Sequence, residues 1–277
     1  VTSLSPAAHR TGRTAIRARA AIQVDLGPQG LPRVSDLRSE VPIVLRLTAT
    51  QRATATDQAA ATVHLVGAAA GPLAGDDLRL DIAVGGGVRL LVRSVAAMVA
   101  LPGWGPGPSR FAVSAEVADG GALEFAPEPT VVAAGADHAS TIDVRLGATA
   151  RLLLREEILL GRFGEAPGSF HGTLRVDVSG AGPAATPAPL LRQDLVLGPD
   201  VPGMRGPAHL GAARAVGSLL VAGPEQAGPA VDAGVADGAA LLPLAGPGYL
   251  VSAIADDAVS LRRRLLAGPA DPVWRRA

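Results

Sequence analysis

The chain has 277 residues, with 25 basic and 25 acidic side chains and no formal net charge, so its overall balance favours neither nucleic acid nor an anionic membrane. All 25 basic residues besides histidine are Arg; Lys is absent, which excludes a Walker A nucleotide site and Schiff-base chemistry. Cys is absent too, so there is no disulfide framework, thiolate metal site or thiol nucleophile.

In chain order, Val1 to Pro6 lacks the charged and apolar regions of a signal peptide. The longest apolar run, Val95 to Leu101, is too short to span a bilayer. A soluble, cytoplasmic protein is expected. The Arg-rich stretch from Arg10 to Arg19 alternates as a wet strand face would.

Period-two alternation predicts strands from about Thr14 to Leu197. Leu78, Leu80, Ile82 and Val84 form one apolar stripe, Ile142, Val144 and Leu146 a second, and Leu174, Val176 and Val178 a third. Such strands bury one side and wet the other. Strand, small-residue turn, strand recurs at Val84–Leu90, Val117–Leu123 and Leu146–Leu152. Its spacing of roughly thirty residues suits stacked, solenoid-like layers. A β-sandwich fits the same pattern.

Gly103 to Pro108 reads as a loop insertion, Gly182 to Pro189 as a hairpin loop, and Gly198 to Pro207 as a linker. Beyond it, Leu210 to Leu220 is rich in small residues and is predicted as a helix on the sheet. A second helix is expected from Asp256-Asp257 to Leu266, ending at Gly268-Pro269, with Arg262, Arg263 and Arg264 near its C-terminal end. The expected fold is mainly β: β-helix-like layers from about 13 to 198 and covering helices from about 208 to 268, in a single domain.

Several carboxylates are candidates for chemistry. Glu156 falls on the stripe of Leu152, Leu154, Ile158 and Leu160, where a carboxylate is costly to bury unless paired or hydrated. It either lines a wet interior position, bulges outward, or pairs with an Arg such as Arg162. Glu157 shares the other face with Arg151 and Arg155, which an ion pair explains. Glu124 and Glu128 lie on one face, as a solvated sheet surface or as a cation-attracting or acid–base pair. Asp76 follows Gly75 in a turn, where an Asx-type bond to nearby backbone is the ordinary role. The five histidines are dispersed without ligand spacing; His138, beside Asp137, and His171 can offer only weak, transient metal contacts.

The strings Gly71-Pro72-Leu73-Ala74-Gly75-Asp76, Leu123-Glu124-Phe125-Ala126-Pro127-Glu128-Pro129-Thr130, Arg155-Glu156-Glu157-Ile158-Leu159-Leu160-Gly161-Arg162 and Leu190-Leu191-Arg192-Gln193-Asp194, in this order, resemble the UreD/UreH urease accessory proteins, in particular the Pro- and Arg-rich actinobacterial branch. Ala74 departs from the family, where a second Gly is common, and Val95 to Leu101 lacks the polar character of other branches. The resemblance implies a mostly β, solenoid-like, non-enzymatic chaperone for urease. It further implies a complex with a UreF-type accessory protein and a UreG-type GTPase that docks on apo-urease and delivers nickel. There would be no tightly bound cofactor, only Ni2+ in transit through an internal tunnel. Asp76, Glu124, Glu128, Glu156, Glu157 and Arg162 then become candidates for the nickel path or an interface, and loss of Glu156 or Asp76 should lower nickel delivery without unfolding the chain.

A carbohydrate-active β-solenoid using Glu124, Glu128 or Glu156 is the alternative, opposed by the scarcity of stacking aromatics: two Trp, one Tyr and four Phe. A plain β-rich interaction module is the third reading.

Overall fold

The computed structural model describes residues 14–103, 105–180, 186–227, 233–236 and 238–266. Residues 1–13, Trp104, residues 182–185 of the predicted hairpin loop, and the predicted helix stop at Gly268-Pro269 lie outside the described residues.

The chain begins with β1 (Arg17–Leu26) and its hairpin partner β2 (Pro32–Arg38), then crosses to a second hairpin, β3 (Ile43–Gln51) and β4 (Ala59–Gly67). From there it winds between two sheets: β5 (Asp77–Val84), β6 (Val88–Ser94), the short β7 (Met98–Ala100), β8 (Ser109–Val117), β9 (Ala122–Phe125), the short β10 (Thr130–Val132), β11 (Asp137–Leu146) and β12 (Arg151–Leu160). Then come β13 (Ser169–Val178), β14 (Ala188–Leu197), β15 (Ala215–Ala222), β16 (Gly234–Ala236), β17 (Ala239–Pro243), β18 (Gly248–Ala255) and helix α1 (Ala258–Leu266).

The first sheet has the order β14-β13-β11-β8-β5-β1-β2, and its centre, β1 through β13, is parallel and in register. The second runs β16-β17-β18-β15-β12-β9-β6-β4-β3, with β4, β6, β9 and β12 parallel and antiparallel strands on both sides. This is the stacked, solenoid-like β architecture expected. The three repeated turns join β5 to β6, β8 to β9 and β11 to β12, so each passes the chain from one sheet to the other. The turns stack closely: a Cβ at Gly147 would come within 2.6 Å of the Asp119 backbone nitrogen. Asp119 Oδ1 in turn accepts the Thr149 N–H at 2.9 Å, tying one turn to the next.

The alternating apolar stripes meet between the sheets. Ile22, Leu80, Val113, Val144 and Val176 from the first sheet pack with Val63, Leu90, Leu123 and Leu154 from the second. A separate cluster on the outer face of the second sheet joins Leu153, Leu219 and Val251 to Leu261 and Leu265 of α1.

One expectation is corrected. The run from Leu210 to Leu220 is no helix: residues 210–212 are a turn and Ala215–Ala222 is strand β15, buried throughout. Its inner face meets the core and its outer face meets α1, so small and branched residues are required on both sides and no alternation survives. The expected linker from Gly198 to Pro207 is a mostly exposed crossing between the sheets that anchors itself through Met204, 4% exposed. The helix predicted at Asp256-Asp257 is present as α1. Asp257 caps it, its Oδ1 accepting the Ser260 N–H at 2.8 Å, and this keeps the carboxyl below its ordinary range.

Candidate functional site

Glu156 lies on the inner side of β12, between Leu154 and Ile158, as its stripe predicts. It neither bulges outward nor pairs with an Arg; among the described residues it has no ion-pair partner. Its Oε1 accepts a hydrogen bond from Ser140 Oγ on β11 at 3.0 Å, bridging the two sheets. In register beside it on the second sheet are Ser218 of β15 and Ser252 of β18. Glu156, both of these serines and Gln193 of β14 line a cavity of about 40 Å³, whose apolar walls include Leu174, Leu195 and Val216. The space suits water: one probe-sized volume is about 10–15 Å³. Burial raises the Glu156 carboxyl above its usual range, and the Ser140 hydrogen bond offsets only part of that. The slot therefore holds one carboxylate among neutral oxygens, with no basic residue in its lining.

The other carboxylates face elsewhere. Glu157, whose side chain is fully buried, points from β12 toward α1, with Arg155 Nε at 3.3 Å and Arg262 Nη2 at 2.5 Å. Arg262 also donates to Glu128 at 3.0 and 3.2 Å. These contacts, led by Glu157, raise the Arg262 pKa, whereas burial lowers that of Arg155. Glu124 accepts from Arg89 at 2.7 Å and from Arg93. Burial opposes its charge, yet the two guanidiniums hold its carboxyl below the ordinary value. In place of the expected solvated face, Glu124 is buried between Arg89 and Arg93, while Glu128, about 38% exposed, joins a separate ion pair with Arg262.

Asp76 is 1% exposed, and it does more than close its own turn. One carboxyl oxygen accepts the Leu73 N–H at 2.9 Å and the other accepts the Ile16 N–H at 2.8 Å, fixing the entry to β1 beside β5. Its removal is expected to harm the fold directly, unlike the sequence-based expectation. Arg162 sits on an exposed turn and grips Glu165, which this contact lowers to about 2.

The two histidines do not meet. His138 is fully buried, with Nδ1 2.9 Å from Ser109 Oγ and its ring 6.1 Å from that of Phe170. Burial pushes its pKa down to about 4. His171 is exposed, 3.9 Å from Asp194. In register, His138 lies opposite Phe170 and Ala139 opposite His171, so the two imidazoles leave opposite faces of the first sheet. Among the described residues no group of three or more His, Cys, Asp or Glu is placed to hold a metal ion. Nor does a second carboxylate share the Glu156 slot, as a glycosidase pair would require. Among the described residues no helix is long and apolar enough to cross a membrane.

Sequence reasoning missed Ser140, Ser218, Ser252 and Gln193. Ser140 carries a signal in the chain itself, for it shares the parity of the Ile142, Val144 and Leu146 stripe.

The family model for UreD, a urease accessory protein, matches residues 17–270. The chain is 65% identical to the urease accessory protein UreD of Frankia alni, over 97% of both chains. It is 62% identical to that of Frankia casuarinae, over 95% of this chain and 92% of the relative. With the protein of the same name from Streptomyces coelicolor it shares 44% over 77% of this chain and 82% of the relative. These matches span the two sheets, the slot and α1, and the chain belongs to the UreD family of urease accessory proteins.

Proposed function

We propose that this protein is a non-catalytic scaffold of urease maturation. It docks on apo-urease together with UreF- and UreG-type partners and passes nickel inward along a path that includes Glu156. The observation that carries the reading is the slot: one unpaired carboxylate and several neutral oxygens set into an otherwise apolar interior. Ni2+ is a borderline cation that favours imidazole and thiolate; a single carboxylate with hydroxyls attracts it without trapping it. Weak binding is what transit needs, since an ion must leave each position it enters. At about 40 Å³ the slot admits water but not a fully hydrated divalent ion. Passage then requires β13 and β14 to part slightly from β15 and β18, a movement that partner binding would supply.

The test is a strain lacking this gene, complemented with the intact copy or with Glu156→Ala, followed by urease activity and nickel content. Deletion is expected to leave nickel-poor, inactive urease, and Glu156→Ala to restore folded protein but little nickel. Fully nickel-loaded urease in the deletion strain overturns the scaffold reading; full restoration by Glu156→Ala removes only the slot.

A further inference from the structure

A second cavity, larger than the Glu156 slot, lies away from it on the outer face of the second sheet. It encloses about 500 Å³ between the loop at residues 54–58 and the short 3-10 turn Pro224–Ala227. That is the size of sites that hold a ligand of several polar groups. Its floor carries two arginines, Arg89 on β6 and Arg151 on β12, which are both in register with Ala122 of β9 between them. Two strand spacings separate their Cα atoms by about 10 Å, and Ala122 between them is small and buried.

Both guanidiniums are positioned. Gln58 donates to the Gly120 carbonyl at 2.6 Å and accepts from Arg151 Nη1 at 3.2 Å, holding that arginine in the cleft. Glu225 Oε1 stands 2.7 Å from Arg151 Nε, and Glu124 accepts from Arg89 at 2.7 Å. Each arginine thus already grips a carboxylate of the chain, and Glu225, about 38% exposed, is the one at the surface. On the same sheet face, Arg93 of β6 lies in register with His64 of β4, and His64 with Arg46 of β3. Arginines therefore continue past the cleft on this face, with Arg93 paired to Glu124 and Arg46 exposed, a row that a polymeric acidic ligand can follow and a small one cannot.

We propose that this cleft binds an acidic peptide segment of a protein partner, seating carboxylates about 10 Å apart on Arg89 and Arg151, with Glu225 as the internal competitor displaced from Arg151. Arg–carboxylate bonds are charge-assisted and directional, so the site discriminates carboxylate from amide. The proposal is independent of the nickel path: neither arginine lines the Glu156 slot.

The experiment uses the purified full chain and a labelled peptide with two glutamates separated by two glycines, read by fluorescence anisotropy. Its glutamine counterpart and free glutarate are the comparisons. Saturable binding is expected, at least tenfold tighter than for the glutamine peptide and weakened by salt. Arg151→Gln should weaken it tenfold or more, and Glu225→Gln should tighten it severalfold by removing the competitor. Arg175→Gln, on the outer face of the other sheet, should leave it unchanged. Absence of binding, equal binding of the glutamine peptide, or indifference to both cleft variants overturns the proposal. Full competition by glutarate at the same concentration also overturns it, in favour of a small dicarboxylate. The opposed directions of the two cleft variants keep the test decisive even where one of them folds poorly.

Discussion

Glu156 works against the stability of the protein that contains it. Because its carboxyl holds a proton more tightly in the folded chain than in the unfolded one, folding loses stability as pH rises from the ordinary carboxylate range through the raised pKa. Glu156→Gln keeps an acceptor for Ser140 and removes the buried charge. It is expected to raise the melting temperature at pH 7.5 while lowering nickel loading of urease. A variant that is both more stable and fully competent in activation would take Glu156 out of the nickel path. His138 has the opposite dependence. It is depressed from 6.5 to about 4, so the unfolded chain binds the extra proton between those values, and stability falls as pH drops through that window. The loss approaches ~3 kcal/mol near pH 4, measurable as the difference in urea midpoint between the native protein and His138→Gln across pH 4–7. Both residues sit on stripes that the alternation makes visible. What alternation cannot give is the opposing sheet, and Ser140 meets Glu156 only through that juxtaposition.

Helix α1 is held by two different means. Leu261 and Leu265, one turn apart, pack over Gly217 of β15, where a Cβ would meet the Glu156 carbonyl at 2.7 Å and both leucines within 3.2 Å. Gly217→Ala should therefore lift the helix and destabilise the protein by ~1–3 kcal/mol in denaturant titration. Arg262 supplies the second attachment. Truncation to Ala would leave Glu157 buried with Arg155 as its remaining cation, costing ~3 kcal/mol. Replacing Glu157 with Gln in the same chain should recover part of that loss, and additive losses would show that the pair is not coupled. The helix was legible from its Asp cap, its arginine-rich last turn and its spacing. The strand beneath it was not, because Ala215–Ala222 is covered on both sides and its run of small residues reads equally well as a close-packed helix.

Across the whole molecule, stability should follow position in the stack. The parallel strands β5, β8 and β11, with β6, β9 and β12 opposite, are paired on both sides, whereas β3 exposes every residue from Arg46 to Gln51 and β16 is exposed throughout. Amide hydrogen exchange is expected to be slowest in the first group and fastest in the second; uniform protection would contradict a stacked design. The repeated turns made the stack readable in the chain, yet its two ends were not, since they depend on non-local pairings. Those ends carry a consequence for self-association. A parallel β-stack offers another copy of itself a template wherever an edge stays straight and open. Among the described residues the three register shifts fall in edge hairpins, β1 with β2, β3 with β4 and β13 with β14, and Pro32 and Pro189 withhold N–H groups from edge strands. A chain cut after β13 would lose both antiparallel borders at that end, and it is expected to grow into filaments that scatter light, while the intact chain stays finite.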